Sequence, residues 1–543
     1  MTVDDVTEPR RRIRFRAVTA ATSPALGTPE GHDGPVLDKR TQRTVLIAVC
    51  TALIAVIAVV SGLNVAQQAI AVDLGASQSG VLWIINAYTL ILAALLLPVG
   101  AIGDRWGRKP VLLAGLGTFL VANLVAALSN STGLMIAARM LAGAGAAMIM
   151  PVTLSVITSS FPPEDRPRAI GIWSGFAGSG GMIGLFVSSF TVDVFSWRWS
   201  FALPIALALV ALVLTLRAVP NSREHAKHRF DTVGSILSAL TIGGLVLGVH
   251  EGPERGWGHP VTIGGLAVGA AALLAFAVWE QHNSAPLLDL SAFRDRGLAS
   301  GTLTLTIVFA VMFGIFLVLF PFFQAVLGWS ALRSAAGMLP MAVAMMPLST
   351  VAPRIAARFG SRNTMLLGVV TFSAGLVIMA LQASVSGGYL SVLPGLIVIG
   401  LGMGLTMTPS TTAITETLPD DKQGVASALN DTSRELGGAL GMALLGSVLS
   451  AAFRTNMQDR LADLPSELVE PASDGIANAF GVAQQAGNSA QRIKDAARQS
   501  FVEAWVHSMW VGVGVAAVAV LFLLVRGPQR IRLATATVTS EVA

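Results

Sequence analysis

Between residues 46 and 103 the chain carries a single charged side chain, Asp73. Two apolar stretches, 45–65 and 82–100, occupy most of that interval. As helices rising 1.5 Å per residue, each spans about 30 Å, the thickness of a bilayer's hydrocarbon core. In lipid the backbone must satisfy its own hydrogen bonds, so stretches this long and apolar commit the chain to membrane helices. Composition points the same way. Of 543 residues, 53% are hydrophobic and 12% charged, and the mean hydropathy is +0.68. A soluble domain carries about 25% charged residues. A water-soluble fold, a disordered chain and a collagen-like fibre are therefore excluded. The single cysteine, Cys50, leaves no intrachain disulfide and no four-cysteine metal site.

The same reading gives twelve more spans: 110–128, 133–157, 169–190, 199–216, 233–249, 261–279, 298–322, 334–351, 365–381, 389–414, 425–452 and 505–525. With fourteen crossings both termini lie on one side. The short loops on that side hold fifteen Lys and Arg; the short loops opposite hold three, Arg198, Arg255 and Arg333. The positive-inside rule then makes both termini cytoplasmic. The net charge of +5 and pI of about 9.9 thus reflect membrane orientation, and no nucleic-acid partner is expected. Residues 1–44 form a polar basic tail, expected to be disordered and cytoplasmic; its run from Arg10 to Arg16 either merely enforces orientation or also holds anionic lipid. Residues 453–500 are polar with helical stretches and are expected to form a long external loop, as a hairpin or a surface helix.

An internal repeat organises the spans. Asp104-Arg105-Trp106-Gly107-Arg108-Lys109 is echoed 253 residues later by Ala357-Arg358-Phe359-Gly360-Ser361-Arg362. The same offset carries Gly171 to Gly424 and the first span onto the ninth. The expected organisation is a six-helix bundle at 45–218, a two-helix insertion with flanking loops at 219–280, a second six-helix bundle at 281–525, and a cytoplasmic tail at 526–543. Two similar helical halves with a site between them is a transporter architecture.

The loop between the second and third spans reads Gly100-Ala-Ile-Gly103-Asp104-Arg105-Trp106-Gly107-Arg108-Lys109-Pro110. Its glycines permit close backbone approach, and Asp104 is placed to cap the next helix. This loop resembles the signature loop of the major facilitator superfamily. Segments such as Trp83-Ile-Ile-Asn86-Ala-Tyr88, Trp197-Arg198-Trp199 and Phe323-Gln324-Ala-Val-Leu-Gly328 resemble its fourteen-span drug:proton antiporter branch. The resemblance covers roughly residues 45–525. It implies an all-α polytopic membrane protein of the major facilitator fold, and a role for Gly103, Asp104, Arg105, Gly107 and Arg108 in locking the cytoplasmic gate.

A charge at mid-bilayer costs about 2.5–3.5 kcal/mol on insertion scales, so each requires a reason. Arg139 lies inside the fourth span, followed by Gly143, Gly145, Ala146 and Ala147. Arg139-Met-Leu-Ala-Gly143 resembles the family's fourth-helix Arg motif, linked to proton coupling. The alternative is an Arg that snorkels to the outer surface. In the thirteenth span, Asp431, Arg434 and Glu435 fall at about 0°, −60° and +40° around a helix, on one face. Burial disfavours an ionised carboxylate and a neighbouring guanidinium favours it. Such a cluster is suited to one exchangeable proton; a structural ion pair is the alternative.

Two family features are absent. Where the first helix usually carries an acid upstream of Asn64-Val65-Ala66, this chain has Val59. The fifth-helix motif reads Gly184-Leu185-Phe-Val-Ser188-Ser189, without its proline. Proton coupling is then expected to rest mainly on the C-terminal half. The substrate path is expected between the halves, at Asn64, Gln67, Asn86, Tyr88, Phe323, Gln324 and Met341, because amide, aromatic and Met side chains suit varied hydrophobic ligands. The seven His are scattered and no Walker-type loop occurs, so no enzyme activity, metal, cofactor or ATP drive is expected.

The sequence thus reads as a monomeric transporter of the bacterial inner membrane, expelling hydrophobic or cationic small molecules against protons. The alternatives are export of an endogenous lipid, siderophore, sugar or secondary metabolite, a proton symporter, and a membrane sensor that transports nothing.

Overall fold

The computed structural model describes residues 38–222 and 230–528, apart from the side chains of Asn64, Gln68, Gln78, Ser79 and Glu254. The basic run at Arg10–Arg16 and the side chain of Asn64 therefore lie outside the described residues. Those described form helices and no strand. The N-terminal six are α1 (Lys39–Leu74), α2 (Gln78–Trp106), α3 (Arg108–Ala127), α4 (Thr132–Ser160), α5 (Arg166–Val194) and α6 (Ala202–Ala218). The inserted pair is α7 (Thr232–Arg255) and α8 (Pro260–His282). The chain continues with α9 (Arg296–Pro321), α10 (Ala331–Phe359), α11 (Ser361–Gln382), α12 (Leu393–Thr417) and α13 (Gln423–Arg460), then two short helices, α14 (Ser466–Ala472) and α15 (Ile476–Gln485), and finally α16 (Ala490–Arg526). Fourteen helices among the described residues are long and apolar enough to cross a membrane.

The packing obeys the repeat. α1 packs on α4, α5 and α6, α2 on α4, and α3 on α4 and α6. Shifted by the repeat, the same set recurs: α9 on α12, α13 and α16, α10 on α12, and α11 on α12 and α16. The two halves meet through α5 against α10 and α13 against α2, again one relation and its repeat mate. α7 packs on α8 and also lies against α2 and α13, one helix from each half.

Two local details repeat as well. Gly107 and Gly360 separate the second and third helices of their halves at φ +107° and +89°, a region that favours glycine. Just beyond, Lys109 Nζ donates to Leu216 O at the end of α6 (3.0 Å), and Arg362 Nε donates to Leu523 O at the end of α16 (3.0 Å). A cation at a helix C-terminus satisfies carbonyls that have no partner in the helix and opposes the negative end of its dipole.

The 453–500 segment is largely helical. α13 and α16 extend into it and enclose α14 and α15 around Phe453, Met457, Leu461, Ala479, Ile493 and Phe501. Ion pairs Arg454–Asp474 and Arg460–Glu503, both 2.5 Å, and Arg492–Asp463 rim it. The Arg492 guanidinium holds the Asp463 carboxyl below the usual carboxylate range.

Candidate functional site

The face bearing both ends of the described chain is closed by α2 against α13. A Cβ built on Gly100 would lie 2.5 Å from Gly424 O, and one on Gly424 would lie 2.2 Å from Gly100 O. Only glycine lets the two backbones meet this closely. One turn along α2, buried Asp104 receives the start of α13. Both its oxygens lie 2.8 Å from Gly424 N, and Oδ2 lies 3.3 Å from Val425 N. The sequence placed Asp104 as the cap of the next helix, α3. Instead, Gly107 precedes α3 with no side-chain cap, and Asp104 caps α13 in the other half. An anion at that end satisfies amides without helical partners and complements the helix dipole.

Buried Arg108 donates from Nη2 to Asp104 Oδ1 (3.1 Å) and to Asp420 O (3.5 Å), balancing the carboxylate's charge. Gly103 lies against Val152, and Arg105 is exposed. The second inter-half contact is also close: a Cβ on Gly171 of α5 would lie 2.7 Å from Ser349 O of α10. The repeat mate of Asp104 is Ala357, so the carboxylate cap exists on one side only.

Deeper along α13, Asp431 is fully buried and Arg434 is 4% exposed. They form a 3.4 Å ion pair through Oδ1 and Nη1, and Asn430 Nδ2 donates to the same Oδ1 (3.1 Å). Thr411 of α12 in turn donates to Asn430 Oδ1 (2.9 Å). Asp431 Oδ2 and Arg434 Nε are buried without a hydrogen-bond partner among the described residues. The guanidinium lies over two rings, Phe309 of α9 at 4.6 Å and Trp173 of α5 at 5.5 Å. Glu435 is half-buried on the same helix face. Glycines continue α13 against α9: a Cβ on Gly437 or Gly441 would meet the carbonyls of Thr306 and Ala310.

Arg139 does not snorkel. It is 1% exposed, with Nε donating to Ile84 O (3.2 Å) and its guanidinium 4.3 Å over the Tyr88 ring. Tyr88 Oη donates to Val56 O (3.1 Å), which ties α1, α2 and α4 together. Gly143 lets α4 touch α2, its Cβ direction ending 2.5 Å from Tyr88 O.

Expected substrate-path residues are dispersed. Tyr88 is buried between helices, and Gln67 is half-buried on α1. Asn86 faces the inserted helix, its Oδ1 3.3 Å from His250 Nδ1. Phe323 sits in an aromatic cluster with Trp329 and Tyr389, ring centroids 5.3 and 5.8 Å away, while Gln324 is exposed. Met341 is buried against Gly400 of α12. Val59 is buried among apolar neighbours, and α5 stays continuous where the family proline is missing, with Gly184 pressed on Ala58 of α1. Trp173, the ring over Arg434, has no signal in the sequence. Its role depends on α5 and α13 meeting across the halves.

The family profile described as Major Facilitator Superfamily matches residues 47–442. The chain is 30% identical over 83% of its length to a tetracenomycin C resistance and export protein of Streptomyces glaucescens, covering 82% of that protein. It is 32% identical over 80% of its length to the multidrug efflux pump LfrA of Mycolicibacterium smegmatis, covering 86% of it. Among solved structures, the proton:xylose symporter XylE superimposes with a TM-score of 0.59 over 91% of this chain and 97% of its own, at 12% identity, a likeness of fold alone.

Proposed function

The chain belongs to the major facilitator superfamily as a drug-efflux transporter, and on that premise we propose that it drives export with the proton gradient. The observation that carries this reading is the Asp431–Arg434 pair. It is a carboxylate sealed from solvent with one oxygen bonded and the other unpartnered, and Glu435 lies one helical step away. Buried charge this costly is kept where it does work. Asp431 and Glu435 carry the exchanged proton, and Arg434 balances the site when it is empty. Arg139 holds Tyr88 and the α1–α2–α4 junction in register with that exchange. Gly103, Asp104, Arg105, Gly107 and Arg108 form the lock on the face bearing the termini, which is the cytoplasmic face of a bacterial inner membrane.

In this reading the halves are 45–218 and 281–525, the insertion is 219–280, and the protein works as a monomeric carrier, not an enzyme. Its cargo is a hydrophobic or cationic small molecule. Half-buried Gln67 supports this path with amide surface, while Tyr88 and Met341 back it from within the helix packing. Relatives named for exporting tetracenomycin and cephamycin favour a secondary metabolite as the natural cargo.

The test is transport of a fluorescent lipophilic cation into everted vesicles under an inside-acid gradient. The gradient drives accumulation with the native chain. Asp431→Asn and Glu435→Gln reach the membrane in normal amount yet lose most gradient-driven flux. Native flux in both neutral variants would defeat the proposal.

A further inference from the structure

The Asp431–Arg434 pair lies on the C-terminal half, yet one of the two rings under its guanidinium belongs to the N-terminal half. Trp173 projects from α5, the helix whose Gly171 meets Ser349 at the closed face. The indole is fully buried and held in place: Nε1 donates to Thr153 Oγ1 of α4 (3.1 Å), which itself donates to Met150 O (2.7 Å). Its ring plane is thereby fixed by the N-terminal half. Phe309, the other ring, sits on α9, which packs along α13 within the C-terminal half. When the halves part at the closed face, Phe309 travels with Arg434 and Trp173 does not.

We infer that Trp173 is a positioning residue that competes with Asp431 for the Arg434 guanidinium while the terminal face is closed, and so lets Asp431 accept its proton only in that state. This role depends on Asp431 carrying the exchanged proton, as proposed above. A guanidinium over an indole in a desolvated site is stabilised without any carboxylate. The 3.4 Å contact to Asp431 is correspondingly long, and Asp431 Oδ2 is left bare. A proton arriving from the outer side binds Oδ2, and Arg434 keeps its rings. Opening of the terminal face withdraws Trp173. Arg434 then closes on the carboxylate, and the Oδ2 proton passes to water on the terminal side. Uptake outside and release inside is the direction an exporter driven by inward protons requires.

The other charges around the pair do not supply this switch. Glu435 shares α13 and moves with it. α2 presents Tyr88 and Asp104, α4 Arg139, α7 His250 and Glu251, and α12 Glu416. Among the described residues, Asp431 and Glu435 are the acidic side chains that share the helix face of Arg434. α16 meets α13 further out, near Leu445.

The experiment is binding of a fluorescent lipophilic cation to the purified full chain in lipid nanodiscs as a function of pH. The native protein gives a midpoint set by Asp431. Trp173→Leu frees Arg434 for the carboxylate, so the midpoint falls by about one pH unit, a tenfold loss of proton affinity. Trp173→Phe, which keeps a weaker ring and serves if the Leu variant does not fold, gives a smaller fall in the same direction. Asp431→Asn flattens the profile. An unmoved midpoint in the Trp173 variants, with a flat Asp431→Asn profile, overturns the positioning role and leaves the proton site standing. A midpoint that persists when Asp431→Asn is combined with Glu435→Gln overturns both.

Discussion

A methyl group added to Gly424 would sit 2.2 Å from the carbonyl oxygen of Gly100, a backbone atom that cannot step aside. That contact, with Asp104 capping the same turn of α13, makes closure of the terminal face depend on the absence of one side chain. Gly424→Ala therefore leaves the protein folded but unable to close that face, and transport falls by tenfold or more. Gly117→Ala, where nothing lies within 4 Å of the new methyl, is the matched control and transports normally. Vesicle uptake normalised to membrane content separates the two.

Asp104→Asn keeps the size of the cap and removes its charge. A hydrogen bond to a charged group contributes about 1.5–3 kcal/mol. Its loss shifts the closed–open balance by roughly ten- to a hundredfold toward opening at the terminal face. A cysteine placed at Ala428, which packs on Gly100, in a Cys50→Ser background reports this. Labelling from the terminal side is slow with Asp104 and fast with Asn.

The repeated helix-end contacts predict a matched pair of stability effects. Lys109→Ala and Arg362→Ala each remove a cation from a helix C-terminus, at α6 and α16 respectively. Each costs about 0.3–1 kcal/mol, read as a small fall in melting temperature in detergent. Because the sites are far apart in the repeat, the double variant loses the sum.

On the opposite face, Asp73 accepts from Arg198 Nη1 (2.6 Å) and Trp197 Nε1 (3.0 Å). These bonds hold its carboxyl below the usual range for an aspartate. A folded-state value below the unfolded one stabilises the fold above the unfolded value, and the gain is lost as pH falls through the folded one. The native chain therefore melts above Asp73→Asn at neutral pH. The difference shrinks once the pH drops below about 4. A pH series of melting curves checks the sign.

Much of this was legible in the sequence because lipid leaves few choices. Apolar stretches of fixed length must be helices, and their number, order and repeat follow from 253-residue echoes such as Gly107 and Gly360. The shared face of Asp431, Arg434 and Glu435 follows from helix geometry alone. What the sequence misses depends on contacts between distant segments. Asp104 finds Gly424 320 residues away instead of its own next helix. Asn86 turns toward His250 of the inserted hairpin, because α7 packs along α2 where periodicity cannot place it. Helix ends also outrun the apolar stretches. α13 continues to Arg460 because beyond the hydrocarbon its turns are held by packing and ion pairs with α14 to α16.

The most direct test reverses the driving force. Purified protein is reconstituted in liposomes with a pH-sensitive dye inside, and a gradient of transported cation is imposed with no initial pH difference. The account predicts that cargo movement through the native chain drives protons the opposite way, and that Asp431→Asn abolishes the pH change. Cargo moving at full rate with the internal pH unchanged would contradict it.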